Sequence, residues 1–284
     1  MYIKDHKVLA ELYSDNYSKL YQTRRFSDGQ IYVMRVIHFD KLNENMKEAI
    51  TKEIKYLGVF GKNTTGFLEF NEVFVWDENM SYCIVMEYTA YGTLEKQITT
   101  QNELGEKYRE SEIWKALIQL IIALSKMHSI NYCYDFVKKD NIFYCGNEGY
   151  KFGDKSLRQI LDFKPFRSEN ICPDITRSEK VDIWYLGFII LQMASLLSLD
   201  DIKKKVSANK YLKLVEGLSE LYGYSNDLKN ILLAILNPNS SVRPSAAEIL
   251  NLPAVRRWIE NLDLLECVLD SDILQEPTGD ANFS

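Results

Sequence analysis

The chain has 284 residues, 46% hydrophobic and 26% charged, the balance of a soluble protein with a sizeable core in one large or two smaller domains. A net charge of -6 and a pI near 5.3 leave no dominant basic field, which argues against non-specific nucleic-acid binding. Five scattered cysteines (Cys83, Cys133, Cys145, Cys172, Cys267) without CxxC spacing suggest neither a disulfide framework nor a zinc site, and point to a reducing, intracellular location.

In chain order, "MYIKDHKVLAELYSDN" has no apolar core followed by a small-residue cleavage site, so it does not read as a signal peptide. "IYVMRVIHF" alternates around Val33 and Arg35, and "SYCIVMEY" is rich in β-branched and aromatic residues; both are predicted strands. Between them, Met46, Ile50, Ile54 and Leu57 recur three or four apart, the spacing of one amphipathic helix inserted in a sheet. Gly92 is the expected hinge. Beyond it, Ile113, Leu117, Leu120, Leu124 and Met127 form a helical stripe behind Ser111, the expected N-cap. "IWYLGFIILQMASLLSL" carries no charge from Ile183 to Leu199, but its shortness, Gln192 and the flanking Asp182 favour a helix buried all round over a membrane span. Lys203, Lys204 and Lys205 read as a solvated helix face. "AVRRWIENLDLLECVLDSDIL" has the pattern of an amphipathic helix that packs on its own domain or on a partner, and "QEPTGDANFS" reads as a frayed end.

This succession of a β-rich segment with one helix, an apolar strand ending "VMEY" and a helical segment resembles the protein kinase family. "CIVMEYTAYGTLEKQI" looks like the strand and hinge that hold adenine, with Met86 as gatekeeper and Glu87, Tyr88 and Thr89 as hinge. "KVDIWYLGFII" is similar to the buried helix whose Asp, here Asp182, braces the catalytic loop. "NPNSSVRPSAAEIL" resembles the end of the large lobe, where Arg243 is the partner of an acid in an APE motif, here "CPD" with Asp174. The endings "RPSAAEIL", "VMEY" and "NIF" lean toward the NIMA-related (NEK) branch. The resemblance implies an α+β, two-lobed fold: a small antiparallel sheet lobe with one helix (1–91), a larger helical lobe (92–260), then a C-terminal helix and tail (261–284).

Kinase catalysis is mostly positioning and electrostatics, so each part has a physical task to compare with the residue present. The loop glycines let backbone N–H groups approach phosphates closely. Here Tyr13, Asp15 and Ser18 occupy their places, adding bulk and a negative charge. The strand lysine is Arg35, whose fork is not interchangeable with an ammonium, and the helix acid that pairs with it is Glu53. In "INYCYDFVKKDNIFYC", anchoring Asn141 at the metal-binding Asn puts Tyr134, Asp135 and Phe136 on the HRD motif. Phe136 cannot act as a general base. Lys138 stays at the loop-lysine position. A rival register slides Asp135 into the catalytic place, at the cost of one deletion before the loop and one insertion after it. The DFG motif reads "DKS": Asp154 keeps a carboxylate that, with Asn141, suits a divalent ion, while Lys155 beside it can neutralise that acid. The segment from Leu157 to Ile171 offers one hydroxyl residue, Ser168, which gives little support to activation by phosphorylation there.

The resemblance and its departures together predict a pseudokinase, a kinase-like domain without phosphotransfer that serves as a protein-interaction scaffold or regulator. No cofactor is expected, although weak ATP and magnesium binding through Arg35, Asn141 and Asp154 stays open as a nucleotide-operated switch. A weakly active kinase using Asp135 or Asp140 as base is the third reading. The expected partners are other proteins, among them active kinases or cytoskeletal components, with no nucleic acid and no membrane, in a cytoplasmic or cytoskeleton-associated setting.

Overall fold

The computed structural model describes residues 1–60, 65–76, 80–135, 137–153, 172–174, 178–197, 215–216 and 223–264. Its architecture is α+β, an antiparallel sheet followed by a helical part. Two compact units are present, one containing Met1–Ala90 and the other beginning at Tyr91.

In the first unit six strands, β1 (Tyr2–Ile3), β2 (His6–Ser14), β3 (Ser18–Arg25), β4 (Ile31–His38), β5 (Phe70–Trp76) and β6 (Ser81–Glu87), lie in the order β1-β2-β3-β4-β6-β5. All neighbours are antiparallel. Helix α1 (Glu44–Phe60) turns Ile50 and Ile54 into a core with Ile37, Ile84, Met86 and Phe70. The opposite face of the sheet is also covered: Ile3, Tyr21, Met34, Val36, Cys83 and Val85 form a second core. Two covered faces explain why Met34 through Ile37 are all buried, where simple alternation would leave every second residue in water.

The strap that seals this second face, Met1 to Val8, gives no strand signal in the sequence because β1 is only two residues long. It is held by the pairing of Tyr2 with Lys7 and Ile3 with His6, by the complete burial of Ile3, and by polar contacts. The His6 side chain is buried, with Nδ1 3.1 Å from Thr23 Oγ1 and Nε2 3.4 Å from Glu72 Oε1. Lys4 Nζ donates to Glu72 Oε2 at 3.2 Å and lies 4.4 Å from the centre of the Phe74 ring.

In the second unit, α2 (Leu94–Leu104) is capped by Thr93 Oγ1, which accepts from the Lys96 N–H, and ends at Gly105 with φ 67°, where glycine carries no Cβ penalty. Helix α3 (Glu110–Ser129) begins one residue before the expected cap. Ser111 lies inside it and Arg109 is the N-cap residue, because the Glu112 carboxylate reaches back to the Arg109 N–H at 2.9 Å. Burial of α3 is also far wider than a stripe, since α4 (Glu179–Ser195), α6 (Ala246–Leu250) and β8 (Tyr150–Phe152), the strand paired with β7 (Ile142–Tyr144), all pack on it. Every residue of α4 from Asp182 to Ser195 is buried, as the unstriped apolar sequence predicts. No described helix is long and apolar enough to cross a membrane. Helix α5 (Asn226–Ile235) packs on α4, and α7 (Pro253–Asn261) follows α6. The Trp258 ring of α7 stacks on Trp114 at 5.6 Å, so the Trp258 face is spent on its own domain. The sequence pattern carries this helix from Ala254 to Leu274, but it ends at Asn261, with Leu262 as C-cap and Asp263 at φ 54°; residues 265–284 lie outside the described residues, as do Lys203, Lys204 and Lys205.

Burial holds the His6 proton affinity below its ordinary value, only partly offset by Glu72, and burial with Lys41 does the same to His38. The unfolded chain therefore binds protons near pH 6.5 that the folded chain resists, so stability falls as pH drops through that value. Urea unfolding at pH 7.5 and at pH 5.5 is expected to give the lower stability at the acid pH, with a smaller difference in His6→Gln.

Candidate functional site

The tip of the β2–β3 hairpin is where the sequence placed a phosphate-cradling loop. Tyr13 is exposed on β2 opposite Leu20, and Ser18 is buried at the start of β3. Between them the Asp15 carboxylate folds back on its own turn. Its Oδ1 accepts from the Tyr17 N–H at 2.8 Å and the Ser18 N–H at 2.7 Å, while the Asp15 N–H donates to the Ser18 carbonyl at 2.9 Å. Its Oδ2 is shut off from solvent without a hydrogen-bond partner among the described residues. An Asp that captures amides two and three residues ahead is an Asx turn, and "DNYS" is its sequence signal. Consecutive amides of this kind are what an anion-binding loop offers to phosphate. Here two of them already hold an anion.

Arg35 sits on β4 between Leu20 of β3 and Ile84 of β6, 6% exposed. It shares a face with Val33 and Ile37, the side on which α1 packs, and half-buried Glu53 lies on that helix. A guanidinium this deep is held by polar partners, since an unpaired buried charge is costly. Met86 is buried on β6 in the same core. The next residue, Glu87, turns its Oε2 to the Glu69 N–H at 2.9 Å, and Tyr88 and Thr89 follow half-buried.

The loop Tyr132–Asn141 belongs to the second unit and is braced from α4. Asp182, 1% exposed, accepts the Tyr134 N–H at 2.8 Å through Oδ2 and the Asp135 N–H at 2.7 Å through Oδ1. His128 Nε2 lies 3.0 Å from the same Oδ2. This contact ties the last turn of α3 to α4 across 54 residues of sequence. Asp135 has φ 64°, a left-handed backbone that Asp tolerates better than most residues. The Tyr134 ring packs 4.6 Å from that of Phe152, and Val137 is buried beneath the loop. Lys138 precedes a 3-10 turn, Lys139–Asn141, in which Asn141 is buried and its N–H reaches the Lys138 carbonyl at 3.0 Å. Phe136 and Asp154 lie outside the described residues, with Lys155, Ser168 and the segment from Leu157 to Ile171. Among the described residues no group of three or more His, Cys, Asp or Glu comes together to hold a metal ion.

The acid of "CPD" does meet its arginine. Arg243, 1% exposed, donates from Nη1 to Asp174 Oδ2 and to the Lys180 carbonyl, both at 2.6 Å, and from Nε and Nη2 to the Asn237 carbonyl. Its guanidinium also lies 4.6 Å from the centre of the Trp184 ring. Burial pushes the neighbouring Cys172 thiol up to about 11, which leaves it an inert thiol at neutral pH. ATP with a divalent ion, the group this family implies, is a poor fit to the described residues: the hairpin amides are taken by Asp15, and the repulsion of its carboxylate would fall on any phosphate brought to them.

Removing the Asp182 carboxylate strands two N–H groups at once, one buried and one half-buried. Asp182→Ala is expected to cost about 3 kcal/mol or more, from two bonds to a charged acceptor, measured by urea unfolding.

The protein kinase domain family matches residues 7–255 of this chain. "Serine/threonine-protein kinase Nek2" of Homo sapiens is 24% identical over 274 residues, covering 89% of this chain and 60% of that protein. "Serine/threonine-protein kinase Nek1" of Mus musculus is 24% identical over 267 residues, 89% of this chain and 21% of that protein. "Probable serine/threonine-protein kinase nek1" of Dictyostelium discoideum is 26% identical over 284 residues, 89% of this chain and 57% of that protein. The chain thus spans 60% or less of these curated relatives. With the Asp182 brace, the buried Asp174–Arg243 pair and the sheet-then-helix order alongside it, the match shows that the chain belongs to the protein kinase domain family, near its NIMA-related branch.

Proposed function

We propose that this chain is a kinase-like domain that does not transfer phosphate and acts by binding other proteins, as a scaffold or regulator. The observation that carries the reading is the Asp15 carboxylate seated on the amides of Tyr17 and Ser18. A loop that gives these two amides to its own carboxylate withholds them from a nucleotide. Phe136 at the base position and Arg35 at the lysine position point the same way. The parts that hold the fold, Asp182, Asp174 and Arg243, keep their hydrogen bonds. A domain that kept its framework and changed its chemistry is suited to presenting surfaces, and the partners in view are proteins, active kinases or cytoskeletal components among them, inside the cell.

The test is thermal unfolding of the purified chain with ATP, ADP and a non-hydrolysable analogue, each with and without magnesium or manganese. A ligand present at about a hundred times its Kd adds about 2.7 kcal/mol to stability, which for a domain of this size is a shift of several degrees. The expected result is a flat melting temperature at roughly millimolar nucleotide. A saturable rise would overturn this reading in favour of a nucleotide-operated switch.

A further inference from the structure

We propose that Ser27 is a phosphorylation site for an arginine-directed protein kinase, and that phosphate there loosens the N-terminal strap from the sheet. The turn joining β3 to β4 reads "RRFSDGQ", Arg24 to Gln30, so two guanidinium groups stand three and two residues before a hydroxyl. A kinase groove lined with carboxylates recognises that arrangement, because each guanidinium offers paired donors in a fork that fits a carboxylate. Arg24, Phe26 and Ser27 are exposed. Arg25 is tied to Asp28, with Nε 2.8 Å from Oδ2, and to Asn71, so the modifying enzyme engages the turn in its opened form. The Ser27 Oγ attacks the γ-phosphorus of ATP held by that enzyme. The bond from phosphorus to the ADP oxygen breaks, ADP leaves, and the hydroxyl proton passes to the enzyme's base.

The structure specifies what the phosphate would meet. Asp5, in the strap, holds this turn twice: its Oδ2 accepts the Ser27 N–H at 3.2 Å and its carbonyl accepts the Phe26 N–H at 2.9 Å. The Tyr2 ring stacks on Phe26 at 5.7 Å. A phosphoserine brings a charge of about -1.5 to -2 at neutral pH. It would face the Asp5 and Asp28 carboxylates and draw Arg24 and Arg25 toward itself, so the strap would lose its hold at Asp5 while Arg25 left Asp28. Beyond Asp5, the first four residues are kept in place by the pairing of Tyr2 and Ile3 with Lys7 and His6, by the Lys4–Glu72 contact and by the burial of Ile3, while His6 to Val8 are also paired with β3 and His6 with Thr23 and Glu72. The inference is independent of whether this chain itself transfers phosphate.

The test treats the full chain with ATP and an arginine-directed Ser/Thr kinase, maps the phosphate by mass spectrometry, and follows amide hydrogen exchange. Phosphate is expected on Ser27 of the native chain and not in Ser27→Ala, whose melting temperature should equal that of the native chain. In the phosphorylated chain the amides from Ile3 to Val8 should exchange faster by about threefold or more, a repulsion of the order of one screened charge pair. Strands β4 and β6 should be unchanged. In Asp5→Asn, phosphorylation should accelerate that exchange less, because one of the two repelling carboxylates is gone. Labelling that spares Ser27, or a phosphorylated Ser27 with unaltered exchange over residues 1–8, would overturn the proposal.

Discussion

One buried carboxylate organises the loop on which the family's chemistry would depend. Asp182 stands in a helix buried all round from Asp182 to Ser195, and a charge in such a place persists only if donors surround it. The Tyr134 and Asp135 amides and His128 supply them. The exchange is mutual. The amides need an acceptor, and the left-handed backbone at Asp135 needs something to hold it. The loop therefore keeps its path whatever side chains follow. The brace reads backbone rather than side chains, so these two bonds do not depend on which side chains the loop carries.

The same logic separates what the chain keeps from what it changes. Arg243 is buried with its fork filled by Asp174, Lys180 and Asn237, and losing any partner would leave a buried charge exposed to an apolar interior. Shortening the usual acid to Asp174 is tolerated because an oxygen still reaches Nη1. At the hairpin tip no such constraint operates. There the amides require only an acceptor, and a side-chain carboxylate supplies it at little structural cost. Asp15 meets that need from within the chain, and the turn is satisfied without a ligand.

Much of this was legible in the sequence, for identifiable reasons. Long periodic or unstriped segments declared themselves: β4, β6, α1 and the buried helix around Asp182 lie where their patterns put them. The family landmarks around Met86, Asp182 and Arg243 were equally readable, because each residue type is fixed by a contact that few others can make. What escaped was short or reciprocal. The strap strand is two residues long and has no period. Ser111 looked like a cap because hydroxyl residues usually are, but Glu112 capped the Arg109 amide and moved the helix start. Asp15 was read as a charge opposing phosphate. Its capture of two amides is a matter of local geometry, which the order "DNYS" permits but does not demand. The relation of His128 to Asp182, 54 residues apart, has no local signal at all.

The most direct test of the account is a phosphotransfer assay on the purified chain with labelled ATP, magnesium or manganese and a general protein substrate, run beside Asp135→Ala and Asp154→Ala. A kinase-like domain without phosphotransfer should incorporate no more label than the heat-unfolded chain, and the two variants should match it. Time-dependent labelling that scales with the amount of native chain and disappears in either variant would contradict the account, and its loss in Asp135→Ala would point to a working base in the loop.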